Sequence, residues 1–125
     1  LSELNEYMLH WFLKELKIDV NFLRASDLDL EGKKSDLVLD MCKKLQASTY
    51  IFGSLGRNYA NLSSFNENKI KVFFQEYIHP NYSQGNGEFI PNMSIIDLLF
   101  NCGPKSSEVI LSNNVSYDEL KNMNI

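Results

Sequence analysis

Three short stretches of the 125-residue chain carry side chains suited to chemistry. The first is Gly53-Ser54-Leu55-Gly56-Arg57, directly after the β-branched and aromatic run from Thr49 to Phe52. Such a run reads as a strand, which places the glycines at the carboxyl end of a sheet, where α/β proteins bind ligands. Two glycines let backbone approach a ligand closely, and Arg57 can hold a carboxylate or phosphate bidentately. The spacing is neither that of a P-loop nor that of the dinucleotide fingerprint. A tight turn whose arginine pairs with a nearby carboxylate is the bland alternative.

The second stretch, His79-Pro80-Asn81-Tyr82-Ser83-Gln84, concentrates an imidazole, a phenol and an amide beside a backbone-restricting proline. His79 is a candidate general base, because a free imidazole titrates near ~6.5. The alternative is a histidine that anchors an irregular loop. The third is Asp97, which interrupts the apolar run Ile95-Ile96-Asp97-Leu98-Leu99-Phe100. A carboxylate there needs partners, since desolvating an ionised group costs several kcal/mol. Arg57 and His79 are the expected partners. A structural pair that pins a loop to the helix is the competing reading. Ser94, His79 and Asp97 have the types of a catalytic triad, but Ser94 lacks a nucleophile-elbow context. Two histidines and two cysteines without ligand spacing make no metal site.

These stretches need elements to position them. Apolar residues Leu4, Met8, Leu9, Phe12, Leu13 and Leu16 recur at helical steps, predicting an amphipathic helix from Ser2 to Lys17 capped by Ser2. Val20 to Arg24 reads as a short buried strand. Leu37, Val38, Met41, Cys42 and Leu45 predict a second helix, starting at Ser35 or Asp36 and ending near Lys43 and Lys44. A short helix from Ser63 to Asn68 and a strand from Ile70 to Phe74 follow. Residues Tyr77 to Asn92 form a long loop rich in Gly and Pro. Met93 to Asn101, apolar on nearly every face, predicts a substantially buried helix stopped by Gly103-Pro104. Helical candidates at Ser106 to Leu111 and Ser116 to Met123 close the chain. This order predicts one α/β domain over 1–125, with a small, mostly parallel three-strand sheet covered by helices.

Composition narrows the function classes. Twelve basic and sixteen acidic residues give a formal charge of −4, without a basic stripe for nucleic acid. No stretch is long and apolar enough to span a membrane, and the first residues form no signal segment. Cys42 and Cys102 lie in apolar runs and are expected to be reduced, buried thiols in a cytoplasmic protein. Asn-x-Ser triplets at Asn61, Asn81, Asn92 and Asn114 are chance products of an Asn- and Ser-rich chain. The missing initiator Met fits a piece of a longer polypeptide.

Tyr50 to Tyr59, His79 to Gln84 and Phe89 to Pro104 resemble, in that order, the motifs of the WbqC-like protein family. The likeness runs over roughly Leu1 to Leu111. Phe52, Leu55 and Ala60 depart from residues common in the family, whereas Gly53, Gly56, Arg57 and Tyr59 keep to it. The resemblance implies a role in bacterial O-antigen or other surface polysaccharide synthesis, with glycine transfer as the suggested reaction, and an amino-terminal half that this chain does not contain. The candidate catalytic residues are thus His79 and Asp97. The candidate ligand-binding residues are Gly53, Gly56, Arg57, Tyr59, Tyr82, Gln84 and Ser94, for a small molecule or nucleotide sugar. A module that binds a nucleotide sugar or a partner without catalysis is the alternative, and the sequence names no cofactor.

Overall fold

The computed structural model describes residues 1–85 and 87–122. The chain divides into two compact units, each built from two stretches of sequence: 1–21 with 78–114, and 22–77 with the segment from Val115 onward.

The second unit holds the sheet. Two strands, β1 (Thr49–Gly53) and β2 (Lys71–Gln75), pair in parallel with Thr49 opposite Lys71 and Gly53 opposite Gln75. Two rather than three strands make the sheet among the described residues. Val20 to Arg24 has the composition of a strand but is not one: Val20 and Leu23 are each more than half exposed. Apolar character alone makes no strand: a strand needs a ladder alongside, and among the described residues only β1 and β2 form one. The connection between β1 and β2 runs through a 3₁₀ turn over Ser54–Asn58 and helix α3 (Leu62–Glu67). That crossover is what parallel pairing demands.

Helix α2 (Ser35–Lys44) begins where the sequence places it and ends in Lys43 and Lys44, cations suited to the negative end of a helix. Ser35 is buried, and its Oγ accepts the Asn61 N–H at 2.9 Å, tying the start of α2 to the start of α3. The core collects Cys42 from α2, Phe52 and Val72 from the strands, and Phe65 and Ile70 around α3. Phe52 is its centre. Its ring stacks on Phe74 at 5.6 Å and meets Phe65 edge-on at 5.7 Å, the offset and T-shaped geometries that ring quadrupoles favour. Helix α6 (Tyr117–Asn122) matches the predicted segment from Ser116, while Met123 lies outside the described residues.

The first unit is helical. Helix α1 (Ser2–Glu15) follows the predicted period, but Leu1 rather than Ser2 occupies the N-cap, and no side chain caps it. The Asn5 N–H bonds the Leu1 carbonyl instead, so Ser2 already lies within the first turn. The loop from 78 leads to helix α4 (Ile95–Cys102), then to a 3₁₀ turn at Gly103–Lys105 and helix α5 (Ser106–Leu111). Gly103 adopts φ +51 at the end of α4, a conformation that costs glycine little. Ser106 is buried and donates to the Gly103 carbonyl at 2.7 Å, fastening α5 to that corner.

The expectation of a substantially buried α4 is overturned. Only Leu98 is buried on this helix, and Phe100 is 88% exposed. Hydrophobicity of a segment sets what burial would gain, whereas burial itself depends on what packs against each face.

Candidate functional site

In the helical unit the sequence motifs converge on Asp97. Tyr82 donates its phenol proton to Asp97 Oδ2 at 2.7 Å, and Gln84 Nε2 donates to the same oxygen at 3.0 Å. Asn101, one helical turn on, donates from Nδ2 to Asp97 Oδ1 at 3.2 Å and to the Asp97 carbonyl at 2.8 Å. Three neutral donors therefore partner the carboxylate, where the sequence suggested a cation. Half-buried beside amide and phenol dipoles, it needs no counter-ion next to it.

Gln84 does a second task. Its Oε1 accepts the Ile90 N–H at 2.7 Å, and its Nε2 donates to the Ile90 carbonyl at 2.9 Å. The side-chain amide thus mimics a strand partner for Ile90 and ties Gln84 to it. Tyr82 holds its proton more firmly than an ordinary phenol. Burial is the main cause, and the hydrogen bond to Asp97 and that group's negative charge add to it. Tyr82 is accordingly a neutral donor at physiological pH.

His79 lies beside this network. Its ring centroid is 6.3 Å from that of Tyr82 and 6.1 Å from that of Phe89, and Tyr82 and Phe89 meet edge-on at 5.5 Å. The three rings form one aromatic cluster on the loop. His79 Nδ1 is buried and has no hydrogen-bond partner among the described residues. Asp97 is paired with Tyr82, Gln84 and Asn101 rather than with His79. Ser94 occupies the N-cap position of α4 without a side-chain cap bond and is exposed, so it stands at the helix entrance beside the loop's end.

The glycine and arginine motif lies in the sheet unit. β1 ends at Gly53, and the chain then turns through Ser54–Asn58. Arg57 pairs with Glu76 at 3.1 Å, just past the end of β2, and its guanidinium lies 4.5 Å from the Phe74 ring centre. Both partners are more than half exposed. Such a pair contributes roughly 0–1 kcal/mol to stability, so a ligand anion can compete for the arginine at little cost. Tyr59 is partly exposed and sets its ring edge-on to Phe52 at 5.7 Å.

The two glycines differ. A Cβ on Gly56 would fall 2.5 Å from Phe52 Cβ and 2.7 Å from its ring, so the residue is glycine because the core aromatic fills that space. Gly53 has open space in front of it, so a Cβ there would meet nothing within 4 Å.

Sequence reasoning missed Asn101, Phe89 and Glu76. Asn101 was readable: it stands four residues after Asp97, the spacing that puts two side chains on one helix face. Glu76 follows Gln75, which pairs with Gly53 just before the arginine turn, and only the strand pairing reveals that. Phe89 carried no signal, because the loop that brings it to His79 has no period. A further feature is an apolar groove of about 480 Å³ in the helical unit, lined among others by Trp11, Ile96, Leu99 and Phe100, with Glu15 and Lys17 also on its wall.

Comparison with known proteins now decides the family. The signature of the WbqC-like protein family matches residues 1–109. This chain belongs to the WbqC-like family. It is also 31% identical over 111 residues to "Uncharacterized protein Rv1507c" of Mycobacterium tuberculosis (strain ATCC 25618 / H37Rv). The alignment covers 88% of this chain and 48% of that relative, so the chain spans about half the length of the curated relative it matches. No solved structure matches the chain. Among the described residues of this WbqC-like chain, no helix is long and apolar enough to cross a membrane.

Proposed function

We propose that this WbqC-like protein is a cytoplasmic transferase of bacterial surface polysaccharide synthesis, such as O-antigen assembly, moving an acyl or aminoacyl group onto a sugar. Glycine is the simplest such group, and a nucleotide sugar the natural form of the acceptor. The observation that carries the reading is the fastening of the loop to α4: Tyr82 and Gln84 both donate to Asp97, beside the His79, Tyr82 and Phe89 rings. Aromatic faces held on a fastened loop suit a sugar, whose apolar ring faces stack on aromatics.

Transfer to an amino sugar forms an amide bond as the bond from the acyl carbon to its leaving group breaks, and the amine sheds a proton. The oxygen that gains charge on the way needs a preorganised donor other than Tyr82, Gln84 and Asn101, whose hydrogens already go to Asp97 and Ile90. Asp97 is the positioning residue for Tyr82 and Gln84. His79 and Ser94 are the groups proposed to meet the ligand in the helical unit; Arg57, with Gly53 and Tyr59, is proposed separately, within the sheet unit, as a position that holds an anion. The remainder of a longer WbqC-like polypeptide is the proposed partner.

The test is a sugar-modification assay on the full-length polypeptide with His79→Ala. Loss of transfer supports the reading, and undiminished transfer removes His79 from it. A second reading, a module that binds a nucleotide sugar or a partner without catalysis, draws on the three neutral donors that already hold Asp97 as a structural acceptor. Titration calorimetry that finds binding to nucleotide sugars, without turnover in the assay, favours it.

A further inference from the structure

The buried, unpartnered Nδ1 of His79 constrains what the imidazole can do. A histidine that works as a base at Nε2 carries its other proton on Nδ1, and that N–H needs an acceptor to orient the ring and to stabilise the imidazolium that forms. Among the described residues none accepts from Nδ1. The carboxylate of the network, Asp97, already accepts on both oxygens from Tyr82, Gln84 and Asn101. The flanking rings, Tyr82 and Phe89, offer aromatic faces and edges.

A buried N–H without an acceptor costs more than a buried lone pair without a donor, because backbone and side-chain donors are the groups proteins leave unpaired least often. The cheaper form is therefore the neutral ring with bare Nδ1 and the proton on Nε2. From this we infer that His79 is a neutral hydrogen-bond donor, presenting Nε2–H to a carbonyl, carboxylate or phosphate oxygen of the ligand, and is not the general base. In the transfer proposed above, on which this role rests, that oxygen is the acyl carbonyl oxygen. The proton of the attacking amine then leaves to solvent or to a group other than His79. Tyr82, also neutral and protonated, supplies a second aromatic wall to the same oxygen's surroundings.

The experiment has two arms. Nitrogen-15 NMR of the full-length protein, labelled at histidine, reports which ring nitrogen carries the proton: a bare Nδ1 with a protonated Nε2 is expected, and a protonated Nδ1 overturns the inference. The second arm compares His79→Gln with His79→Ala in the transfer assay. Glutamine places an N–H donor close to where Nε2 sits but cannot act as a base. A donor role predicts that His79→Gln keeps transfer within about tenfold of wild type, whereas His79→Ala loses on the order of 10²-fold or more. Equal losses in both, in the ~10²- to 10⁴-fold range of a missing base, overturn the inference. Absence of transfer by the wild type refutes the functional reading instead, and the NMR arm still decides the tautomer. Both variants are checked for an unchanged Trp11 emission, so that unfolding is not mistaken for lost function.

Discussion

Cutting the Tyr82 to Asp97 contact tests the arrangement on which the site depends. In Tyr82→Phe the carboxylate loses one hydrogen bond at 2.7 Å but keeps Gln84 at 3.0 Å on the same oxygen, so no charge is left bare. Hydrogen bonds to charged groups are worth about 1.5–3 kcal/mol, and the half-exposed setting brings the expectation to about 1–1.5 kcal/mol. Asp97→Asn is expected to cost more, about 1.5–3 kcal/mol, because the new amide sets its N–H groups against donors from either Asn101 or Gln84. If the two side chains interact directly, the double mutant falls short of the sum by about 0.5–1.5 kcal/mol. The assay is urea unfolding followed by Trp11 fluorescence, since the chain's one tryptophan belongs to the same unit as Asp97. Costs that add with no shortfall would refute the contact, and with it the claim that Asp97 positions the loop.

Other consequences can be checked alongside. Gly56→Ala drives a Cβ into Phe52 and should destabilise by about 1–3 kcal/mol, while Gly53→Ala, with open space around it, should change urea stability by less than about 0.5 kcal/mol. Leu98→Ala should cost about 2–4 kcal/mol and Phe100→Ser almost nothing, reversing the order expected if α4 were evenly buried. Burial pushes the Cys42 thiol up, so a thiol reagent should label half-buried Cys102 first and reach Cys42 only as the protein opens. The Glu31 backbone N–H, aided by Lys44 and Lys43, holds the Asp40 carboxyl below its ordinary 3.8. Its stabilisation is present above that value and fades as pH falls through the lower folded one, so Asp40→Asn should flatten the acid limb of the stability curve below about pH 4.

Much of the fold was legible because local pattern and final environment agreed. The Leu37 to Leu45 period became α2, and the β-branched and aromatic runs at Thr49 and Ile70 became the paired strands. Where they failed, the deciding fact was non-local. Val20 to Arg24 looks like a strand but is outside the two-strand ladder of the described residues, and α4 is greasy on faces that nothing described covers. The site shows the same division. Residue types placed Tyr82, Gln84 and Asp97 among the candidates, yet their neutral, mutually satisfying geometry depended on how the loop folds back. Arg57 was assigned an acidic partner correctly in kind, but that partner is Glu76, which the parallel register brings beside the turn.

The central claim is that the His79 loop receives a ligand. NMR titration of the full-length protein with a nucleotide amino sugar, and separately with an aminoacyl donor, tests it most directly. Saturable shifts centred on the ring signals of His79, Tyr82 and Phe89 are predicted for at least one of the two. Saturable binding that leaves those three rings unmoved would contradict the account.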